Sequence, residues 1–141
     1  MTIRSLRSIV AGSAPITGSR VTTVLDAALL MKKTGKGALL ILEDRKLVGI
    51  FTERDALFRV IAARRDPNTT TMSDVMTPHP QTIHPDEPFL NAMRVMHEGG
   101  FRHLPVVEHG RPLGVVSARD ALADDLYELR VDLSQREKVR D

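Results

Sequence analysis

The chain has no cysteine, no tryptophan and a single tyrosine, and its aromatic residues amount to only 4%. Without cysteine there is no disulfide framework, no thiolate nucleophile and no cysteine-built zinc site. That fits a reducing compartment, and the expected location is cytoplasmic. The shortage of aromatics removes a stacking platform for single-stranded nucleic acid and an aromatic cage. Charge of one sign is also lacking: 20 Lys and Arg face 18 Asp and Glu, a net charge of +2. A nucleic-acid binder concentrates a basic stripe, so no nucleic-acid partner is expected. No apolar run reaches transmembrane length, so no membrane partner is expected either. One local absence stands out, since no acid occurs from Met1 to Leu25 while Arg4, Arg7 and Arg20 do. This gives a weak likeness to an organelle transit peptide, but the sustained apolar core of a secretory signal is missing. The segment reads as the first strand and lead-in of the domain.

What is present is an internal repeat. "GIFTERD", Gly49 to Asp55, returns as "GVVSARD", Gly114 to Asp120, at an offset of 65 residues that holds without a gap over about forty residues. Thr17 falls on Thr82, Ala27 on Ala92, Met31 on Met96, Leu39 on Leu104, and Arg54-Asp55-Ala56-Leu57 on Arg119-Asp120-Ala121-Leu122. The chain is two copies of one supersecondary unit. In each copy an apolar pattern at helical spacing ends near a glycine, at Gly35 and at Gly99-Gly100. Two short apolar runs follow, joined by "DRK" or "HGRP", and a second helical pattern closes the unit. With the extended pieces at Ile16-Thr17 and Thr82-Ile83, this predicts tandem βαββα repeats, an α/β (α+β) fold. One unit is too small to hold a core alone, so the two are expected to pack around a pseudo-twofold axis as one module. The expected division is residues 1–66 for the first copy with its lead-in, 67–130 for the linker and second copy, and 131–141 for a charged tail. "RRDPNTT" supplies the breakers of the linker.

The repeated heptapeptide admits two readings. Thr or Ser where a strand enters a helix is a good N-cap, and an acid three residues on suits the first turn. The same geometry also suits a nucleotide. The carboxylates of Asp55 and Asp120 can accept from a vicinal diol, and the hydroxyls of Thr52 and Ser117 add a polar contact. Arg54 and Arg119 carry forked donors for phosphate oxygens, and Gly49 and Gly114 leave bare backbone for a base or ribose.

The tandem pattern resembles the cystathionine-β-synthase (CBS) domain pair, or Bateman module, over about Thr17 to Leu126, most closely in "SDVMTPHPQTIHPDEPFLNAMRVMHEGGFRHLPVVEHGRPLGVVSARDAL". The resemblance implies a paired module that dimerises, binds an adenosine derivative (AMP, ADP, ATP, NAD(H) or S-adenosylmethionine) and regulates an effector protein. It implies no catalytic cofactor, the nucleotide being a regulatory ligand for energy sensing. Carried over, Asp55 and Asp120 would hold ribose hydroxyls with Thr52 and Ser117 beside them. Gly37-Ala38-Leu39 and Arg102-His103-Leu104-Pro105 would line base and phosphates, and Thr17, Thr22, Ala27 and Thr82 the opposite wall. The first copy departs from the pattern, because "GALLIL" lacks the proline and basic pair of "RHLPVV". The clefts should therefore differ, and Asp120, in the copy with the fuller set, is expected to matter more than Asp55.

Other features are plainer. His79, His84, His97 and His109 read as solvent-facing, His103 as aimed toward a phosphate, and no metal site is expected from their spacing. Met31, Met72, Met76, Met93 and Met96 read as core or interface filling. The tail, with Asp132 and Arg136 at i, i+4 spacing, reads as a solvated helix or as one that crosses onto a dimer partner. Leu25, Leu29, Leu57, Ile61, Leu122 and Leu126 are too many to reach one small core, which predicts a homodimer. No nucleophile–base pair or phosphate-cradling glycine loop appears, so an enzyme is not expected. The rival to a nucleotide sensor is a dimerisation scaffold with degenerate clefts.

Overall fold

The computed structural model describes residues 4–140. The elements run α1 (Leu6–Val10), β1 (Thr17–Gly18), α2 (Val24–Thr34), β2 (Ala38–Glu43), β3 (Lys46–Thr52) and α3 (Glu53–Asp55), which continues as a π-helical stretch, Ala56–Ile61. The second copy runs α4 (Met72–Val75), β4 (Thr77–Pro78), α5 (Phe89–Gly99), β5 (His103–Glu108) and β6 (Arg111–Ser117). A 3₁₀ turn (Ala118–Asp120) and α6 (Ala123–Arg140) complete it. The tandem βαββα reading is the observed architecture.

Local chemistry explains these elements. Thr23 caps α2 by accepting from the Asp26 amide at 3.2 Å. Gly35 and Gly100 end α2 and α5 in the left-handed region, at φ 70° and 71°, where a side chain would be strained. The two hairpins are near-identical. β2 pairs β3 with Ala38 opposite Thr52, β5 pairs β6 with His103 opposite Ser117, and the bulges at Ile41/Leu42 and Val106/Val107 are repeat-equivalent. Both turns use two left-handed residues, Asp44-Arg45 and His109-Gly110, the geometry that matches the right-handed strand twist.

The two copies are interlaced. β4, from the second copy, pairs with β3 of the first, with Gly49 opposite Pro78. α1, from the first copy, packs on β6 and β5 of the second. One core thus gathers Val24, Ala27, Met31, Leu39, Phe51, Met72 and Met76, and the other gathers Leu6, Val10, Phe89, Met93, Met96, Leu104 and Val116. A third cluster of Ala38, Leu40 and Ile50, with Val115 against it, joins the sheets. All five singled-out methionines are buried in these cores.

Two expectations change. The N-terminal segment, read as a first strand and lead-in, holds a helix before its strand. Ser5 accepts from the Ser8 amide at 3.2 Å, and Leu6 and Val10 drop into the second core. The second closing helix does not start at Ala118. Ala121 is extended, and Asp125 takes the Leu122 amide at 2.8 Å and pairs with Arg4, so the chain restarts as α6. α6 then runs through residues 130–131, where the charged tail was set apart, and lies on α5 through Arg94–Asp132 at 3.5 Å. The i, i+4 pair Arg136–Asp132 is present at 3.0 Å.

Candidate functional site

Each heptapeptide folds as a strand entering a capped turn. Asp55 Oδ2 accepts from the Thr52 amide at 2.9 Å and from the Thr52 hydroxyl at 3.1 Å, while Thr52 Oγ1 accepts from the Asp55 amide at 3.3 Å. Asp120 Oδ2 accepts from the Ser117 amide at 2.8 Å. A third capping box, Thr71–Asp74, has the same form. Capping is therefore real, but it uses one oxygen of each carboxylate. Among the described residues the other oxygen of Asp55 meets Arg59, at 3.5 Å, and Asp55 lines a cavity.

That cavity, about 500 Å³, is built from both copies. Thr52, Arg54 and Asp55 form one wall, Arg102, His103 and Pro105 another, and Thr77, His79, Pro80 and Gln81 a third. Its repeat mate, lined by Ser117, Arg119, Asp120, Ser13, Pro15, Lys36, Gly37 and Ala38, is only about 160 Å³. Lys36 narrows it by reaching across to the Ser13 hydroxyl (3.3 Å) and the Ala14 carbonyl. A third cavity, about 540 Å³, opens beside both and is lined by Lys32, Lys36, Glu53, Arg102, His103 and Arg119 among others.

The structure regroups the expected site residues. Arg102 and His103 line the Asp55 cavity opposite Thr52, and of the pair only His103 reaches the Asp120 cavity. The pair is thus shared: it faces Thr52 and Asp55 in one cavity and meets Ser117 and Arg119 in the cavity of about 540 Å³, rather than belonging to the Asp120 cleft alone. Ala27, Leu39 and Leu104 are fully buried in the two cores, so they are not cleft walls. Strand alternation turns Leu39 and Leu104 toward the helices while their neighbours face the cavities. Thr17, Thr22 and Thr82 line none of these three cavities, and Thr22 Oγ1 instead accepts from the Ser19 amide at 2.9 Å. Gly49 and Gly114 are not bare backbone for a ligand. A Cβ on Gly114 would lie 2.7 Å from Val10 Cβ, and one on Gly49 would collide with Met76. Each glycine admits the lead-in helix that belongs to the other copy.

Several lining residues escaped the sequence reading. Phe101 faces the Asp55 cavity, so its walls are not purely aliphatic, and Thr77, His79, Pro80 and Gln81 face it too. The one available signal was "TPHPQ", a proline-rich stretch ahead of the second extended piece.

His103 sits where the cavities converge. Burial holds its imidazole below the ordinary range, Glu53 pulls it back up, Arg119 and Arg102 push it down, and Asp120 raises it. Gly37 makes room for it, since a Cβ there would lie 3.0 Å from His103 Nε2 and 2.9 Å from Glu53 Oε1. The plain "GA" of the first copy is thus complementary to the "RH" of the second. The other four histidines are exposed. His84, Asp86 and Glu108 do bring ligand atoms within 4.8 Å of one another. The Arg7 guanidinium, 3.0 Å from Asp86 and 2.9 Å from Glu108, already supplies the positive charge there. No helix among the described residues is long and apolar enough to cross a membrane.

Comparison with known proteins agrees with this architecture. A CBS domain-containing protein of Arabidopsis thaliana, CBSCBSPB5, is 40% identical over 86 residues, covering 61% of this chain and 16% of its own length. The mitochondrial CBSX3 of the same plant is 34% identical over 118 residues, 80% of this chain and 57% of its own. The chain therefore spans about a sixth of the first relative and just over half of the second. Among solved structures, a CBS domain protein of Pyrobaculum aerophilum, PAE2072, complexed with AMP, superposes with a TM-score of 0.80 at 23% identity, covering 90% of this chain and 98% of that one. The family model for the CBS domain matches residues 9–62 and again 72–126, so the chain belongs to the CBS domain family and carries the domain as a tandem pair.

Proposed function

We propose that the chain is a regulatory, non-catalytic module that binds an adenosine nucleotide in the Asp55 cleft. The observation that carries this reading is the convergence in one cavity of Thr52 and Asp55 from the first copy with Arg102 and His103 from the second. At about 500 Å³ the cavity lies within the usual range of roughly 300–1,000 Å³ for small-molecule sites, and the Asp120 cavity, at about 160 Å³, lies below it. The donor set fits the ligand. The cap leaves the second oxygen of Asp55, 3.5 Å from Arg59 Nε, to accept from a ribose diol, Arg102 and His103 face the phosphate, and Phe101, Ile50, Pro80 and Pro105 offer apolar surface to a base. The AMP complex of PAE2072 supports the ligand class. The Asp120 cleft, narrowed by Lys36 and His103, serves packing in this reading.

Occupancy would be read by a partner through the exposed apolar helical surface. Leu25, Leu29, Leu57, Ile61, Leu122 and Leu126 are all 38–69% exposed, and we assign this surface to a homodimer interface and its effector. A thermal-shift screen with AMP, ADP, ATP, NAD(H), S-adenosylmethionine and GTP tests the reading. At a hundred times its dissociation constant a ligand stabilises by about 2.7 kcal/mol. A rise with an adenosine compound that disappears in Asp55→Ala is expected; no shift with any of them would contradict the reading and favour a scaffold.

A further inference from the structure

The Asp55 cleft does not end at Arg102 and His103. Glu53, Arg102 and His103 line both it and the neighbouring cavity of about 540 Å³, so the two spaces share a wall of three residues. Their electrostatics differ. The Asp55 cleft sets Arg54 and Arg102 against two carboxylates, Glu53 and Asp55. The neighbouring cavity sets Lys32, Lys36, Arg102 and Arg119 against Glu53 alone. Lys32, Arg102 and Arg119 enter no ion pair among the described residues. Four cations that share one concave space with a single carboxylate repel one another and attract a multivalent anion. A monophosphate bound at Arg102 would leave Lys32 and Arg119 unanswered.

We propose that this cavity is a polyphosphate subsite, which makes the chain selective for a nucleoside triphosphate over the monophosphate. The proposal rests on the nucleotide reading of the Asp55 cleft and adds a route for the tail. The α-phosphate passes Arg102 and His103, and the β- and γ-phosphates meet Lys32, Lys36 and Arg119. Lys32 is the discriminating residue. It stands on the last turn of α2, lines this cavity and is absent from the lining of the Asp55 cleft. Inorganic tripolyphosphate carries the same chemistry without the nucleoside and separates the two halves of the idea.

The test is calorimetric titration of the full chain with AMP, ATP and sodium tripolyphosphate, in the wild type, Lys32→Gln and Lys32→Glu. Lys32 is exposed, so both variants are expected to fold, and circular dichroism checks this. The expected result is ATP at least tenfold tighter than AMP. That ratio falls about tenfold in Lys32→Gln and further in Lys32→Glu, while AMP affinity stays within twofold. An ATP-to-AMP ratio near one, or a ratio unchanged by either substitution, overturns the subsite while leaving the nucleotide reading intact. Tripolyphosphate binding that depends on Lys32, with no nucleotide binding, keeps the anion site and overturns the nucleotide reading. No binding of any of the three overturns both.

Discussion

At the scale of single residues, Asp55 has two tasks, and its two oxygens divide them. One closes the capping box with Thr52, and the other, 3.5 Å from Arg59 Nε, is the one left for a ligand. Asp55→Ala should therefore cost about 1 kcal/mol of stability through the lost cap and also remove the diol acceptor. Asp74 caps its turn in the same way but lines none of the three cavities. Asp74→Ala should lower the urea midpoint and leave nucleotide affinity unchanged. A loss of affinity in Asp74→Ala would show that the caps act only through folding. Arg45 gives a second test at this scale. It is left-handed at φ 67°, and its repeat mate Gly110 holds φ 78° without a Cβ. Arg45→Gly should stabilise the first hairpin by about 0.5–1 kcal/mol in urea unfolding, the left-handed strain relieved less the entropy of glycine.

At the scale of elements, the repeat made the helices, hairpins and lead-in strands legible. A constant offset preserves both the helical and the strand period, so each copy checks the other. The interlacing was not legible. Which lead-in crosses to which copy is decided by contacts such as Val10 on Gly114 and Met76 on Gly49, and no local pattern encodes those. The two glycines were therefore assigned to a ligand, and Arg102-His103 was grouped with Asp120 alone, although the pair also lines the Asp55 cavity. Part of the short-range chemistry was legible: the Thr-x-x-Asp and Ser-x-x-Asp motifs gave both caps, whereas the Ser5 cap of α1 and the restart at Asp125 went unread. Gly114→Ala follows from the interlacing. With Val10 Cβ only 2.7 Å from the added methyl, the substitution should push α1 off β6 and cost about 1–3 kcal/mol. Unchanged stability would mean that α1 is not part of the second core.

At the scale of the molecule, charge and assembly depend on solution conditions. His103 is held below its ordinary value of 6.5, first by burial. The unfolded chain therefore takes up this proton at a higher pH than the folded chain does. The stability it governs is complete above about 6.5 and is lost as the pH falls below it. Unfolding midpoints at pH 7.5 and 5.5 should differ less in His103→Gln than in the wild type. Glu108 and Asp132, held low chiefly by hydrogen bonds from Arg7 and Arg136, lose their contribution only in more acid solution. Assembly is tested by light scattering at micromolar concentration. The exposed Leu25, Leu57, Phe58 and Ile61 predict a dimeric mass, and a strictly monomeric one contradicts the interface assignment.

The central claim is that the nucleotide sits on Asp55 and not on Asp120. Calorimetric titration of AMP and 2′-deoxy-AMP into the wild type, Asp55→Ala and Asp120→Ala tests it most directly. A hydrogen bond to a charged group is worth about 1.5–3 kcal/mol, so Asp55→Ala should weaken AMP about ten- to a hundredfold. The wild type should discriminate against the deoxy analogue, Asp55→Ala should not, and Asp120→Ala should behave as the wild type. Loss of affinity in Asp120→Ala with Asp55→Ala unaffected would contradict the account.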